Sequence, residues 1–594
     1  MQSALNYLKS ETVLSLKKII NRFKDFESAN RYFQEFTGIV NFFNDQYNFE
    51  NTYRELLTSD TQSLNLQNKR EFGDFQTPEE LTDLVCTYLK QSEISPEVIF
   101  EPTFGQGSFL ISALRQFPEI QDLIGVEIFE PYCRQTRFLI FEFFLKSSRK
   151  PKAAIHLFQA DIFNLNYNKI FEIVGEKRLL ILGNPPWVTN AELGRRNSEN
   201  LPRKYNRKAQ NGLDALTGAS NFDLGEAVLL DLLKHFSSAP ATIAMLVKDA
   251  VIKNIIHDLP RSEYAMEQIE ALKINARKYF NASVQASLFH CRLNAKKPEL
   301  FCTNRIMDKT NTIAKHWGWA GDKFVANLGL YQKYAAFDEV CPFTWRQGMK
   351  HDCAKIMELV RTERGLVNGL NQPVKVESTR LYGLVKSSDL KSLVVSETNR
   401  QVIVPQDKLG DDTSRLENES PRLYQYLRKN EDFFTRRKSK IYNNMPPFSV
   451  FGIGDYTFAP FKVAISGLYK RSTFSLLLPA AGKPLLLDDT CYFLGFDRLA
   501  DAAFVWAILN GEAVQNLLAA ITFQEAKRPY TKRILMRLAI SKIIDKTNFS
   551  QIQAAVSGFD PDIAAELDEN DWVRFKSDSA ISQQGITQKY SVKI

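Results

Sequence analysis

Asn184-Pro185-Pro186-Trp187 is the stretch of this chain best equipped to act on a small polar group. Consecutive prolines hold the backbone extended and stiff, and they contribute no N–H of their own. The carbonyls of Asn184 and Pro185, with the Asn184 amide oxygen, are therefore acceptors set in a rigid frame. An aryl or amide NH2 group is a poor nucleophile because its lone pair is delocalised. Two acceptors that hold both of its hydrogens develop that lone pair toward an incoming methyl, with no proton removed beforehand. Trp187 adds a flat face on which a base can stack. Alone, a Pro-Pro pair is only a stiff turn. Its place gives it meaning, directly after an apolar run and downstream of a glycine-rich loop.

That loop is Glu101-Pro102-Thr103-Phe104-Gly105-Gln106-Gly107-Ser108, which follows the first apolar run and opens a helical pattern. Gly105 and Gly107 let the backbone turn sharply and approach a ligand closely. A G-x-G by itself is a common strand-to-helix turn. Glu127 ends the second run about 20 residues later, where an acid can accept hydrogen bonds from ribose hydroxyls, and Ile128 follows it. Asp161 ends the third run, where an acid can accept from an adenine amino group while Phe163 covers the ring. Three successive strand ends with suitable groups point to a cofactor made of an adenosine and an amino acid. Nothing suggests a pyrophosphate cradle such as a P-loop lysine.

The elements that must position these residues are legible as alternating patterns. Apolar runs at 98–100, 123–128, 154–158, 179–182, 242–247, 269–274 and 284–289 read as strands. Helical stretches at 79–90, 108–116, 131–144 and 223–236 lie between them, which predicts an α/β, Rossmann-like domain of seven strands with helices on both faces. Residues 1–70 form an N-terminal helical segment, 71–300 the catalytic domain, and 301–560 a mixed α/β domain. Residues 561–594 read as a polar tail.

With 594 residues, 44% of them apolar and 24% charged, the chain can bury large cores, and its 43 phenylalanines suggest aromatic ones. A net charge of +8 permits a polyanionic partner. Seven scattered cysteines, without a C-x-x-C pair or a histidine at ligand spacing, argue for a reducing compartment and against a structural metal. The N-terminus carries Lys17, Lys18, Arg22 and Lys24 on a helical pattern rather than a signal peptide. No run approaches the ~18 apolar residues of a spanning helix. A cytoplasmic protein without membrane association is expected.

Asn-Pro-Pro-aromatic after a glycine-rich first loop resembles the amino-methyltransferases, specifically the Taq-type N6-adenine DNA methyltransferases of restriction-modification or phage-defence systems. Phe75-Gln76-Thr77-Pro78 resembles the family's segment that closes over the methionine end of the cofactor. Ser220 to Leu224 and Ala244 to Lys248 resemble its middle motifs, and Lys278-Tyr279-Phe280 sits where the family places a second aromatic against the flipped base. Later stretches, Trp345 to Gly348, Pro421 to Leu427, Asp488 to Phe493 and Pro529 to Ile540, look like landmarks of its target recognition domain. The resemblance implies S-adenosylmethionine as cofactor, double-stranded DNA as substrate, and methylation of a flipped adenine at N6. It implies cofactor contacts from Thr77, Glu101, Phe104, Gly105, Gly107, Glu127, Ile128, Asp161, Phe163 and Asn184. Asn184, Pro185, Pro186 and Trp187 become the catalytic set, with Trp187 and Phe280 stacking on the base. Trp187 departs from the commoner Tyr or Phe, a change that keeps the flat ring.

Basic clusters supply candidate phosphate contacts: Arg195, Arg196, Arg203 and Lys204 just past the catalytic loop, and Arg436, Arg437 and Lys438 in the downstream domain. A third cluster runs from Lys527 to Arg537. A charge run is commonly just a solvated face, but three of them, one beside the candidate base pocket and two in the downstream domain, fit phosphate contacts better. Methylation of cytosine N4, of structured RNA or of a protein glutamine uses the same loop chemistry and stays open. So does a non-catalytic DNA-binding subunit. Cytosine-C5 chemistry needs a nucleophilic cysteine, typically after proline, and no Pro-Cys pair exists. A cognate restriction endonuclease, if present, is expected as a separate chain.

Overall fold

The computed structural model describes residues 8–58, 76–147, 149–188, 223–307, 315–363 and 365–578. The chain divides into two compact units, Met1–Asp322 and Lys323–Ile594.

The first unit is built on the strands β1 (Val98–Glu101), β2 (Asp122–Glu127), β3 (Ala154–Gln159), β4 (Leu179–Gly183), β5 (Ala241–Lys248), β6 (Met266–Ile274) and β7 (Ala286–Leu293). The central members, β1, β2, β4, β5 and β7, are buried nearly throughout, as expected of a sheet covered by helices. The strands run in the order β6-β7-β5-β4-β1-β2-β3. β1 to β5 pair in parallel, and β7 alone runs antiparallel between β5 and β6. These are the seven strands of the Rossmann-like sheet that the sequence pattern predicts.

The sheet does not stop near residue 300. β8 (Phe301–Ile306) adds in parallel to β6, and β9 (Lys315–Ala320) adds antiparallel to β8. The edge of β6 thus recruits the residues assigned by sequence to the next domain, and unpaired edge groups explain why.

Helices α1 (Ser10–Ile20), α2 (Phe26–Thr37) and α3 (Gln46–Thr58) precede α4 (Glu79–Gln91), α5 (Ser108–Gln116) and α6 (Glu130–Ser147). The first three are part of this unit rather than a separate segment. Phe33 packs on Phe42 at 4.2 Å between ring centroids and on Phe141 of α6 at 5.6 Å, and Phe42 meets Phe138 at 5.8 Å. Thr12 donates to Glu142 at 2.7 Å, Arg134 pairs with Glu55 at 2.7 Å, and Ile39 bridges Ile155 of β3. After β3 come α7 (Tyr167–Val174), then α8 (Leu224–Phe236), α9 (Asp249–Asp258) and α10 (Ala276–Phe280).

The second unit opens with β10 (Lys323–Val325) and holds two five-stranded sheets. One joins β11 (Arg346–Gln347), β20 (Cys491–Phe496), β17 (Phe461–Ser466), β18 (Phe474–Leu477) and β15 (Val394–Val395) in that order. The other joins β13 (Gly365–Asn368), β12 (Glu358–Thr362), β16 (Arg400–Ile403), β14 (Leu381–Val385) and β19 (Leu486–Leu487). Helix α11 (Leu499–Asn510) is buried nearly all round, and its Trp506 donates to the Phe474 carbonyl at 3.0 Å. Among the described residues no single helix is long and apolar enough to cross a membrane. The segment from 561 is not simply a polar tail: Trp572 and Phe575 are buried, with Trp572 4.9 Å from Phe504. Two aromatic anchors outweigh the polar composition around them. All seven cysteines are buried and unpaired.

Candidate active site

β1 and β4 are neighbours, and the chain leaves them toward opposite edges of the sheet. The crevice outside their carboxyl ends is a topological switch point, where open α/β sheets take ligands. The glycine loop follows β1, and Asn184 to Trp187 follow β4.

Gly105 and Gly107 adopt φ of +53° and +79°, the left-handed region that side chains disfavour. At Gly107 there is also no room, since a Cβ would lie 2.5 Å from Thr136 Cγ2. Phe104, expected among the cofactor contacts, turns its ring into the core over Gly125, whose added Cβ would meet Phe104 Cδ1 at 2.7 Å. It offers the loop its backbone only, because burying a phenyl ring against the sheet is the stronger pull.

Glu127 accepts from the Gly105 N–H at 2.9 Å and the Phe129 N–H at 2.8 Å. Each carboxylate oxygen can accept more than one hydrogen bond, so this grip is compatible with ribose hydroxyls. Glu101 is buried, and its Oε2 has no hydrogen-bond partner among the described residues. Burial and the charge of Glu127 push its carboxyl well above the ordinary range. A buried carboxyl with one oxygen left unpartnered beside a second acid suits a cation, and the amino-acid end of S-adenosylmethionine carries an ammonium. Asp161 accepts from the Phe163 N–H at 3.0 Å and from Asn164 at 2.7 Å, capping a short turn. Phe163 is half-buried beside it, and Ile128 is 49% exposed after β2.

On the catalytic side, Asn184 Nδ2 donates to Thr77 Oγ1 at 3.1 Å. In this arrangement the amide turns its nitrogen edge to Thr77. The preceding residue, Gln76, accepts from the Gln106 N–H at 3.2 Å. Gln76-Thr77 thus ties the glycine loop to the loop after β4. The resemblance places Gln76 in the segment that closes over the cofactor but marks only Thr77 as a contact, because a glutamine has no signature of its own until its partner is known. Pro185 is buried, and a Cβ on Gly225 of α8 would lie 3.5 Å from both Pro185 Cγ and the Pro186 carbonyl.

Trp187 and Phe280 do come together, edge to face at 4.9 Å and 67°. They form one aromatic wall, 5% and 7% exposed, with no slot between the rings. Arg195, Arg196, Arg203 and Lys204 lie outside the described residues, as do Phe75 and residues 220–222.

In the second unit, several arginines of the basic stretches 422–440 and 527–537 are paired with acids. Arg422 pairs with Glu377 at 3.1 Å, Arg428 with Glu431 at 2.7 Å, and Arg537 makes two bonds to buried Asp338. Arg437 is not a surface phosphate contact: its guanidinium lies 3.6 Å over the Tyr442 ring and donates to the Ser449 carbonyl at 2.7 Å. Stacking and a carbonyl acceptor claim it for the local fold. Arg436 and Lys438 are exposed, Arg436 with Asp432 3.6 Å away.

A family described as N-6 DNA Methylase matches residues 47–213. The chain is 35% identical over 482 residues to the Type II methyltransferase M.NspV of Nostoc sp., covering 80% of this chain and 98% of that one. Among solved structures it is similar to the Type IIL restriction-modification enzyme MmeI in complex with DNA, with 13% identity, 91% of this chain, 81% of that one and a TM-score of 0.49. It is also similar to the type IIG restriction endonuclease BpuSI, with 11% identity, 98% and 77% coverage and a TM-score of 0.36. The chain belongs to the N-6 DNA methylase family and is an S-adenosylmethionine-dependent DNA methyltransferase.

Proposed function

We propose that this enzyme methylates N6 of an adenine rotated out of double-stranded DNA at a fixed sequence, as the modification arm of a restriction-modification system. The observation that carries the reading is the Asn184 amide, anchored through Thr77 at the mouth of the switch-point crevice and followed by two prolines. When bound, S-adenosylmethionine supplies an electrophilic methyl group.

The chain's own residues do the rest. Glu127 and Asp161 hold the ribose and the adenine amine of the cofactor, and Glu101 neutralises its ammonium. The Asn184 amide oxygen and the Pro185 carbonyl accept the two hydrogens of the target amine, which localises its lone pair. Trp187 and Phe280 offer the wall on which the flipped base rests, compensating for lost stacking in the duplex. The second unit reads the sequence, and Arg436 and Lys438 touch the backbone. The 35%-identical relative is named a methyltransferase, which favours a cognate endonuclease on a separate chain.

The test is single-molecule sequencing of DNA from cells that express the protein. N6-methyladenine in one fixed motif is expected. N4-methylcytosine instead, or unmodified DNA with intact cofactor binding, overturns the reading.

A further inference from the structure

Trp187 is gripped at both ends by the last residues of β5. Its indole Nε1–H donates to the Leu246 carbonyl at 3.2 Å, and its own carbonyl accepts from Lys248 Nζ at 3.1 Å. Lys248 is held in place by Asp223, Nζ to Oδ2 at 2.6 Å, with side chains only 18% and 11% exposed. The other oxygen of Asp223 accepts from the Gly225 N–H at 3.0 Å and caps α8, while the Leu224 N–H donates to the Val188 carbonyl at 2.9 Å. One ammonium therefore joins three elements: the end of β5, the start of α8 and the loop that carries Asn184 and Trp187.

We infer that Lys248 is a positioning residue, which through Asp223 and the Trp187 carbonyl fixes the ring that receives the flipped base. The chemistry favours this over an ordinary ion pair. A lysine that is mostly withdrawn from water needs several acceptors, and here one of them is the backbone of the candidate catalytic loop itself. The same arrangement explains tryptophan at this position. Phenylalanine stacks as well but has no N–H for Leu246, and tyrosine carries its donor at the wrong place on the ring. Ring orientation is thus set from both sides of one residue, before any base arrives.

The inference deepens the proposed function and rests on Asn184 to Trp187 being the catalytic loop. Its test pairs Lys248→Met with Asn184→Ala in the full-length enzyme. DNA carries 2-aminopurine at the target position, so that fluorescence reports the environment of the flipped base. Lys248→Met is expected to lower kcat at least tenfold and to change that emission, with cofactor Kd within twofold. Lys248→Arg, which keeps a donor for the carbonyl, should recover most of the rate. Should Lys248→Met not accumulate as folded protein, Asp223→Asn gives the same reading with a smaller fall in kcat. Wild-type kcat and emission in whichever variant is read overturn the inference. If Asn184→Ala is inactive in the same assay, only the positioning role falls. If Asn184→Ala is active, the catalytic-loop reading falls first.

Discussion

Thr77 and Asn184 are 107 positions apart in sequence, yet a 3.1 Å hydrogen bond joins their side chains. It carries the orientation of the one amide that the chemistry needs. Asn184→Ala should therefore lower the single-turnover methylation rate by about 10²-fold or more, as for other preorganised groups. Cofactor affinity, measured by titration calorimetry, should stay within a few-fold. Thr77→Val should lie between, because it keeps the amide but removes the hydrogen bond that holds it. Substantial turnover by Asn184→Ala would remove the residue from catalysis.

Glu127→Ala should act on the cofactor instead. It removes a charged acceptor and leaves the N–H groups of Gly105 and Phe129 without it, at a cost of roughly 1.5 to 3 kcal/mol in binding. Equal Kd values for variant and parent would exclude Glu127 from the ribose site.

Glu101 makes cofactor binding pH-dependent. Burial and Glu127 raise its pKa, so in the free enzyme it keeps its proton to higher pH than an exposed glutamate. A bound ammonium favours the carboxylate, so binding should release a proton. Affinity should strengthen as pH rises from the ordinary carboxylate range toward the raised pKa, then level off. Calorimetry in two buffers of different ionisation enthalpy measures the release directly. No buffer dependence across that range contradicts the pairing.

Gly107→Ala should cripple the loop. Positive φ alone costs on the order of 1–3 kcal/mol, and the new methyl would collide with Thr136. Cofactor affinity should fall while the far-UV circular dichroism of the folded protein is retained. Unaltered affinity would show that the loop can relax without consequence.

Arg437 and its neighbours should part company. Arg437→Ala loses the Tyr442 stack and the Ser449 bond, so it should lower thermal stability by about 1–3 kcal/mol. Charge reversal at Arg436 and Lys438 should leave the melting temperature alone, weaken DNA binding and flatten its salt dependence. Identical salt slopes in the reversed and parent proteins would falsify the backbone contact.

The strands were legible because runs such as Val98 to Phe100 and Leu179 to Leu182 are buried on both faces and bounded by turn residues. The candidate site could be read from the sequence because its groups sit at consecutive strand ends. What escaped depends on contacts distant in sequence. Arg537 reads as free charge until Asp338, 199 residues away, is placed against it. β8 has a half-exposed pattern, and only the open edge of β6 makes it a strand. Phe104 looks like a ligand contact in the loop, and Gly125 opposite decides that its ring goes inward.

The phenylalanine cluster between α2 and α6 has a consequence for handling the protein. The stretch that matches the family, 47–213, is a unit of descent and not a unit of folding. A fragment cut at its start would lose Phe33, Phe42 and Phe43 and open Phe138 and Phe141 to water. A contiguous apolar face of that kind drives self-association. Such a fragment should collect as aggregate, whereas a chain that begins before Ser10 keeps Phe138 and Phe141 covered.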